Sequence, residues 1–213
     1  MKRYEQMLLE NKAWVQEKLE TDGDFFKRMA HSQKPEFLWI GCADSRVSPN
    51  EITQSSPGEI FIHRNVANVV SHTDVNLISV LQYAVEVLEI SHVVVCGHYG
   101  CGGVQAALSN KSYGFIDMWL RHIKDAYCQH KHEVDSAPNE QERFNRMVEA
   151  NVKQQVRNLA KTTIIQQAWK KRKKPYLHGW VFDLSDGIIH PKLELSPHEA
   201  FDDPIYNYEQ FRE

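Results

Sequence analysis

The chain reads as an α/β fold: a mainly parallel β-sheet flanked by helices in one domain, preceded by an N-terminal helical arm. Three observations predict it. The short apolar runs "EFLWI" (36–40), "EIFIH" (59–63) and "SHVVVCG" (91–97) have the length and turn-residue flanks of buried strands. Between the second and third, apolar residues switch to a spacing of three or four. No hairpin signal separates strand, helix and strand, which implies a right-handed crossover and parallel pairing.

Taken in order, residues 4–30 form a polar-rich helical stretch, with Tyr4, Met7, Leu8, Trp14, Val15, Leu19 and Phe26 spaced for one or two faces. Such an arm buries little alone and needs its own core or a second subunit to lie on. Gly41 ends the first strand, and the turn "SSPG" introduces the second. Leu77, Leu81, Ala84 and Leu88 mark a helix over 74–89, with Thr73 or Asp74 as its cap. Residues 115–130 and 140–173 are mostly helical, and "PYLHGWVFDLSDG" (175–187) adds a strand and a turn. The tail from 188 is polar and reads as irregular. The expected organisation is an arm (1–34), a core (35–190) and a C-terminal tail (191–213).

Composition excludes several classes. At 42% apolar residues, 213 residues bury a real core, and a formal charge of −3 makes no case for nucleic-acid binding. No window approaches the roughly 18 apolar residues of a membrane helix. The amino end has scattered charges and no apolar signal segment, so a cytoplasmic location is expected. "WKKRKKP" (169–175) reads as a solvated helix terminus, where cations complement the helix dipole. Four cysteines, at 42, 96, 101 and 128, are too few for a disulfide scaffold. Cys96 lies within an apolar strand and reads as packing.

The chemistry concentrates after two strands. Cys42 and Asp44 follow the first, and His98 and Cys101 follow the third within the Gly-rich turn "GHYGCGG". Ligands of open α/β sheets collect outside the carboxyl ends of parallel strands. If these strands are neighbours, two thiolates, an imidazole and a carboxylate converge, a donor set suited to tetrahedral Zn²⁺. Two arrangements are open on this pattern. One is a closed Cys₂HisAsp site that only staples two loops. In the other, a buried Arg46 offers Asp44 a competing bidentate partner and frees the fourth position for chemistry. Arg46 can also serve as a simple brace.

"CADSR" (42–46), "HRNVAN" (63–68) and "GHYGCGG" (97–103), in that order, resemble the β-class carbonic anhydrases, of which bacterial members are the pattern here. The resemblance runs from the amino-terminal helices to "HGWVFDLSDG". It implies reversible hydration of CO₂ to bicarbonate and a proton by zinc-bound hydroxide. Cys42, His98 and Cys101 would be constant zinc ligands. Asp44, held by Arg46, would gate the fourth position and orient the hydroxide. The ligand set also implies activity that rises through mildly alkaline pH, because two thiolates acidify bound water less than three histidines do.

The resemblance further implies a CO₂ pocket from Gln33, Phe61, Val66, Tyr83 and Gly102, partly supplied across a homodimer or homotetramer interface, with the helical arm packed on the partner subunit. Without it, Phe61, Val66 and Tyr83 read as ordinary core. Some bacterial members also hold inhibitory bicarbonate in a Trp–Arg–Tyr pocket. Trp39 and Arg64 match the first two positions, but Phe182 replaces the Tyr, so weak or absent bicarbonate inhibition is expected. Two other functions remain open: hydrolysis of a CO₂-like substrate such as carbonyl sulfide or carbon disulfide, and a non-catalytic zinc-stabilised binding module.

Overall fold

The computed structural model describes residues 2–199, 201, 203–208 and 211. The chain divides into two compact units, Met1–Lys34 and Pro35–Glu213.

The first unit contains helices α1 (Arg3–Thr21) and α2 (Phe25–His31). Neither buries a residue, and Tyr4, Met7, Leu8 and Leu9 are all more than half exposed. Trp14 packs edge-on to Phe25 and Phe26.

The second unit is a five-stranded sheet in the order β2-β1-β3-β4-β5. The strands are β1 (Phe37–Cys42), β2 (Ile60–Asn65), β3 (His92–His98), β4 (Tyr176–Phe182) and β5 (Ile189–Leu195). The first four run parallel, and β5 returns antiparallel to β4. Helices α3 (Pro49–Thr53), α4 (Val75–Gln82), α5 (Gly102–Leu108), α6 (Asp117–Asp135), α7 (Glu140–Ala160) and α8 (Thr163–Arg172) complete the unit. No helix among the described residues is long and apolar enough to cross a membrane.

Side-chain alternation along the strands builds two cores. Leu38, Ile40, Val93, Val95, Leu177 and Val181 face the large one, shared with α4 to α8. Trp39, Val94, Cys96 and Phe182 form a smaller cluster with Val47 on the other side. Cys96 is fully buried there, so the packing reading of this cysteine stands. Helix α7 lies close to the sheet because two strand positions lack side chains. A Cβ at Gly97 would sit 2.6 Å from Val152 Cγ2, and one at Gly179 3.0 Å from Val152 Cγ1.

Two expectations are corrected. The stretch after 188 is not irregular through its length: Ile189–Leu195 is strand β5. Pro191 is a contrary local signal for a strand, since proline cannot donate to a ladder. At a sheet edge, opposite Trp180 and beside a register shift, that donor is not needed. The expected helix over 74–89 is capped by the Asp74 carboxylate, which accepts from the Asn76 and Leu77 amides. Beyond Gln82 it widens into a π-turn, Tyr83–Val87, in which Leu88 N–H bonds the Tyr83 carbonyl. The lysine-rich stretch covers the last turn of α8, its C-cap Lys173 and the residues just beyond, a helix terminus as its position before Pro175 suggested.

Candidate metal centre

The convergence needed β1 and β3 to be neighbours, and they are: Gly41 stands opposite Cys96. Cys42 therefore ends its strand level with Gly97, one residue before His98. The H-x-x-C turn then folds back through Gly100, whose φ of +72° suits glycine, and delivers Cys101 as the N-cap of α5. The Cys42, His98 and Cys101 ligand atoms lie within 4.8 Å of one another, and all three residues are buried. The two sulfurs are 3.9 Å apart.

These residues fit a metal cation on three grounds. His98 donates through Nδ1 to the Tyr99 carbonyl at 3.0 Å, which leaves Nε2 with its lone pair free. That Nε2 is buried and has no hydrogen-bond partner. The two sulfurs face each other closely enough to influence each other's ionisation. The contact with Cys101 holds the Cys42 thiol well below its usual range. The same contact, then burial, pushes Cys101 up. Burial opposes charge on His98, but the neighbouring Cys42 sulfur and the nearby negative charge carry its pKa above the usual value. An anionic pocket that recruits a proton to neutralise itself is one that a dication satisfies better.

Asp44 stands beside this cluster but belongs to another pairing. Arg46 Nε donates to Oδ1 at 2.9 Å, its Nη2 to Oδ2 at 2.7 Å, and its amide to Oδ1 at 3.0 Å. Oδ2 remains 3.7 Å from His98 Nε2. Of the two settings open to Asp44, this structure holds the arginine-paired one. Arg46 is not the buried residue that the pattern suggested. Its side chain is 59% exposed, because it reaches outward past Asp44, which is 17% exposed. The Arg46 hydrogen bond outweighs a small burial effect and holds the Asp44 carboxyl far below the ordinary carboxylate range.

Arg64 on β2 does something that sequence reading missed. Its Nε donates to the Cys42 carbonyl at 2.8 Å and its Nη2 to the Asp44 carbonyl at 2.5 Å, so it ties down the loop bearing both residues. Trp39 and Phe182 share the small core, and the Trp39 indole N–H is buried without a partner.

The pocket residues divide. Gly102 begins α5, and Val66 lies against the ligand turn, with its Cγ1 2.9 Å from where a Gly103 Cβ would stand. Phe61 and Tyr83 pair with each other, ring centroids 5.8 Å apart. Phe61 sits opposite Leu38, four residues before Cys42, or about 13 Å along the strand. That pair is therefore not assembled with the ligands of its own chain. The ordinary-core reading holds for Phe61, which packs on the large core, but not for Val66 and Tyr83, which are 37% and 43% exposed. Gln33 is exposed, in the segment after α2.

Val66, Ala67 and Asn68 form a tight turn with φ +62° at Ala67 and +48° at Asn68. Side-chain amides of α7 hold it. Asn151 donates to the Ala67 carbonyl, Gln155 accepts from the Val70 amide and donates to Asn151, and Asn158 donates to the Val70 carbonyl. The signal for this was Asn151, Gln155 and Asn158 at helical spacing within an otherwise apolar face. A second carboxylate–histidine group, Asp183, Asp186 and His190, is more exposed, and both carboxylates already accept from turn amides.

A parallel sheet that aims two cysteines and a histidine from its carboxyl edge, beside an arginine-clamped aspartate, defines an α/β protein built to hold a metal cation. The comparisons with known proteins specify which. The family model described as carbonic anhydrase matches residues 37–189. A carbonic anhydrase of Emericella nidulans is 49% identical over 179 residues, covering 84% of this chain and 78% of the relative. A structure from work on two tetrameric β-carbonic anhydrases of Sordaria macrospora superposes with a TM-score of 0.86 at 37% identity, covering 91% of this chain and 98% of that one. The β-carbonic anhydrase CafA of Aspergillus fumigatus gives 0.85 at 35% identity, with 93% of each chain covered. The chain belongs to the β-class carbonic anhydrase family.

Proposed function

We propose that the chain catalyses the reversible hydration of CO₂ to bicarbonate and a proton, with zinc held by Cys42, His98 and Cys101. The observation that carries this reading is the buried, partnerless His98 Nε2 facing two sulfurs within ligand distance of one ion. Zinc bound there would supply a Lewis acid that turns water into a nucleophile near neutral pH. The protein's own part is positioning. Arg46 holds Asp44 by two parallel bonds, so the carboxylate is withdrawn from the ligand cluster but close enough to accept a hydrogen bond from a reactant there. Arg64 fixes the loop that carries both. Val66 and Gly102 would line the approach on this chain. Gln33, Phe61 and Tyr83 would come from a second copy in a homodimer or homotetramer, which would also cover the exposed apolar side chains of the arm.

Stopped-flow hydration by the zinc-loaded protein tests the reading. Turnover of CO₂ well above that of carbonyl sulfide is expected. Full zinc loading with no CO₂ turnover at any pH would overturn it.

Bicarbonate inhibition is expected to be weak. Arg64 already uses Nε and Nη2 on main-chain carbonyls, and Phe182 brings no hydroxyl to the Trp39 side of the sheet. Phe182→Tyr restores that donor and should make hydration about 10- to 100-fold more sensitive to added bicarbonate, a charge-assisted hydrogen bond being worth about 1.5–3 kcal/mol. Unchanged inhibition curves for the two proteins would remove Phe182 from the account.

A further inference from the structure

We propose that Lys192, Glu149 and Tyr99 form a positioning chain that sets the orientation of His98 and so governs how firmly the site holds zinc. The proposal rests on the zinc reading above. Tyr99 stands between the two ligands of the H-x-x-C turn, and three of its groups are tied to three different elements. Its amide donates to the Phe182 carbonyl at the end of β4, at 3.0 Å. Its carbonyl accepts from His98 Nδ1 at 3.0 Å, the bond that aims Nε2 at the sulfurs. Its hydroxyl donates to Glu149 Oε1 on α7 at 2.6 Å.

Glu149 is in turn held by Lys192 of β5, whose Nζ lies 2.7 Å from the same Oε1. Both side chains are only 22% exposed, so this pair is shielded from solvent far more than a surface ion pair. The Lys192 ammonium also lies 5.9 Å from the centre of the Tyr99 ring. The phenol is thus fixed at its far end while its backbone carries the His98 bond. Without that anchor the backbone of the turn at Tyr99 can shift, and with it the carbonyl that fixes the imidazole. Partners one bond removed from a metal ligand commonly change metal affinity by about 10- to 100-fold. This chain fixes the carbonyl that serves as that partner here, and it recruits a helix and an edge strand remote from the ligand loops to do so.

The test follows zinc transfer from the fully loaded protein to a chromophoric chelator, together with the visible absorption bands of the Co²⁺-substituted protein. Tyr99→Phe and Glu149→Gln should each speed zinc loss about 10-fold and shift the cobalt bands. The double variant should lose zinc no faster than the faster single one, because both break the same chain. Lys192→Arg should retain the wild-type rate, while Lys192→Met should not. Glu149→Gln preserves side-chain volume, which keeps the test informative if Tyr99→Phe folds poorly. Unaltered zinc loss and cobalt bands, or lowered thermal stability with additive effects and an unaltered cobalt spectrum, would overturn the proposal. A wild type that takes up no zinc would instead overturn the proposed function, and that is read before any variant is made.

Discussion

Cys101→Ser is expected to abolish both zinc retention and CO₂ hydration. Cys101 is buried, its sulfur lies 3.9 Å from that of Cys42, and it completes the only fully buried group of potential ligands among the described residues. A serine hydroxyl is harder, is not ionised near neutral pH, and sits on a shorter bond than the thiol it replaces. Removing the ligand itself should weaken zinc binding by more than the roughly 100-fold that losing a supporting partner can cause. Metal analysis after dialysis should find the variant essentially free of zinc, with hydration at the uncatalysed rate. A variant that retains one zinc per chain and normal turnover would exclude Cys101 as a ligand. The fold should survive, because the large core that α5 to α8 share with the sheet is continuous without the sulfur.

Arg46→Ala is expected to leave zinc in place and still lower the hydration rate by about 100-fold or more, the size of effect that misplacement of a positioned group produces. In the wild type both carboxylate oxygens of Asp44 are taken by the guanidinium. Without it, Oδ2, 3.7 Å from His98 Nε2, is free to turn to the metal site. The pH dependence separates this from a simple charge effect. Asp44 has a depressed pKa, so the pair is formed above the ordinary carboxylate range and is lost only as pH falls through that lowered value. Between pH 6 and 9 neither partner titrates. The expected rise of the wild-type rate through mildly alkaline pH must then come from the metal site itself. In the variant that rise should persist at a much lower amplitude. A wild-type profile flat from pH 6 to 9, or an Arg46→Ala variant of normal rate, would sink the gating role.

The parallel sheet and the ligand cluster were legible because both depend on short-range pattern. An apolar run that ends in glycine announces a buried strand, and a reactive residue just past it announces the carboxyl edge. Strand β5 was not legible, because Pro191 is a contrary signal unless the strand's place at the edge is known, and order in a sheet is a long-range property. The exposure of Arg46 was hidden for a related reason. Its spacing from Asp44 specifies the pairing, but which side faces solvent depends on what packs around the loop. Tyr99 lay in plain view inside the H-x-x-C motif. Its partners Glu149 and Lys192 are separated from it by about 50 and 90 positions of chain, with no local pattern to join them.

The amides that α7 presents to the 66–70 turn work as teeth. Asn151, Gln155 and Asn158 engage main-chain groups at Ala67 and Val70 in a single register. A slide of the helix by one turn, 5.4 Å, would disengage all of them at once, and each buried group left unmatched costs about 1–3 kcal/mol. An apolar face could tolerate intermediate positions, whereas this one cannot. The helix is therefore indexed against the turn rather than merely pressed on it. The two left-handed residues beside Val66 inherit their position from a helix that has only one place to stop.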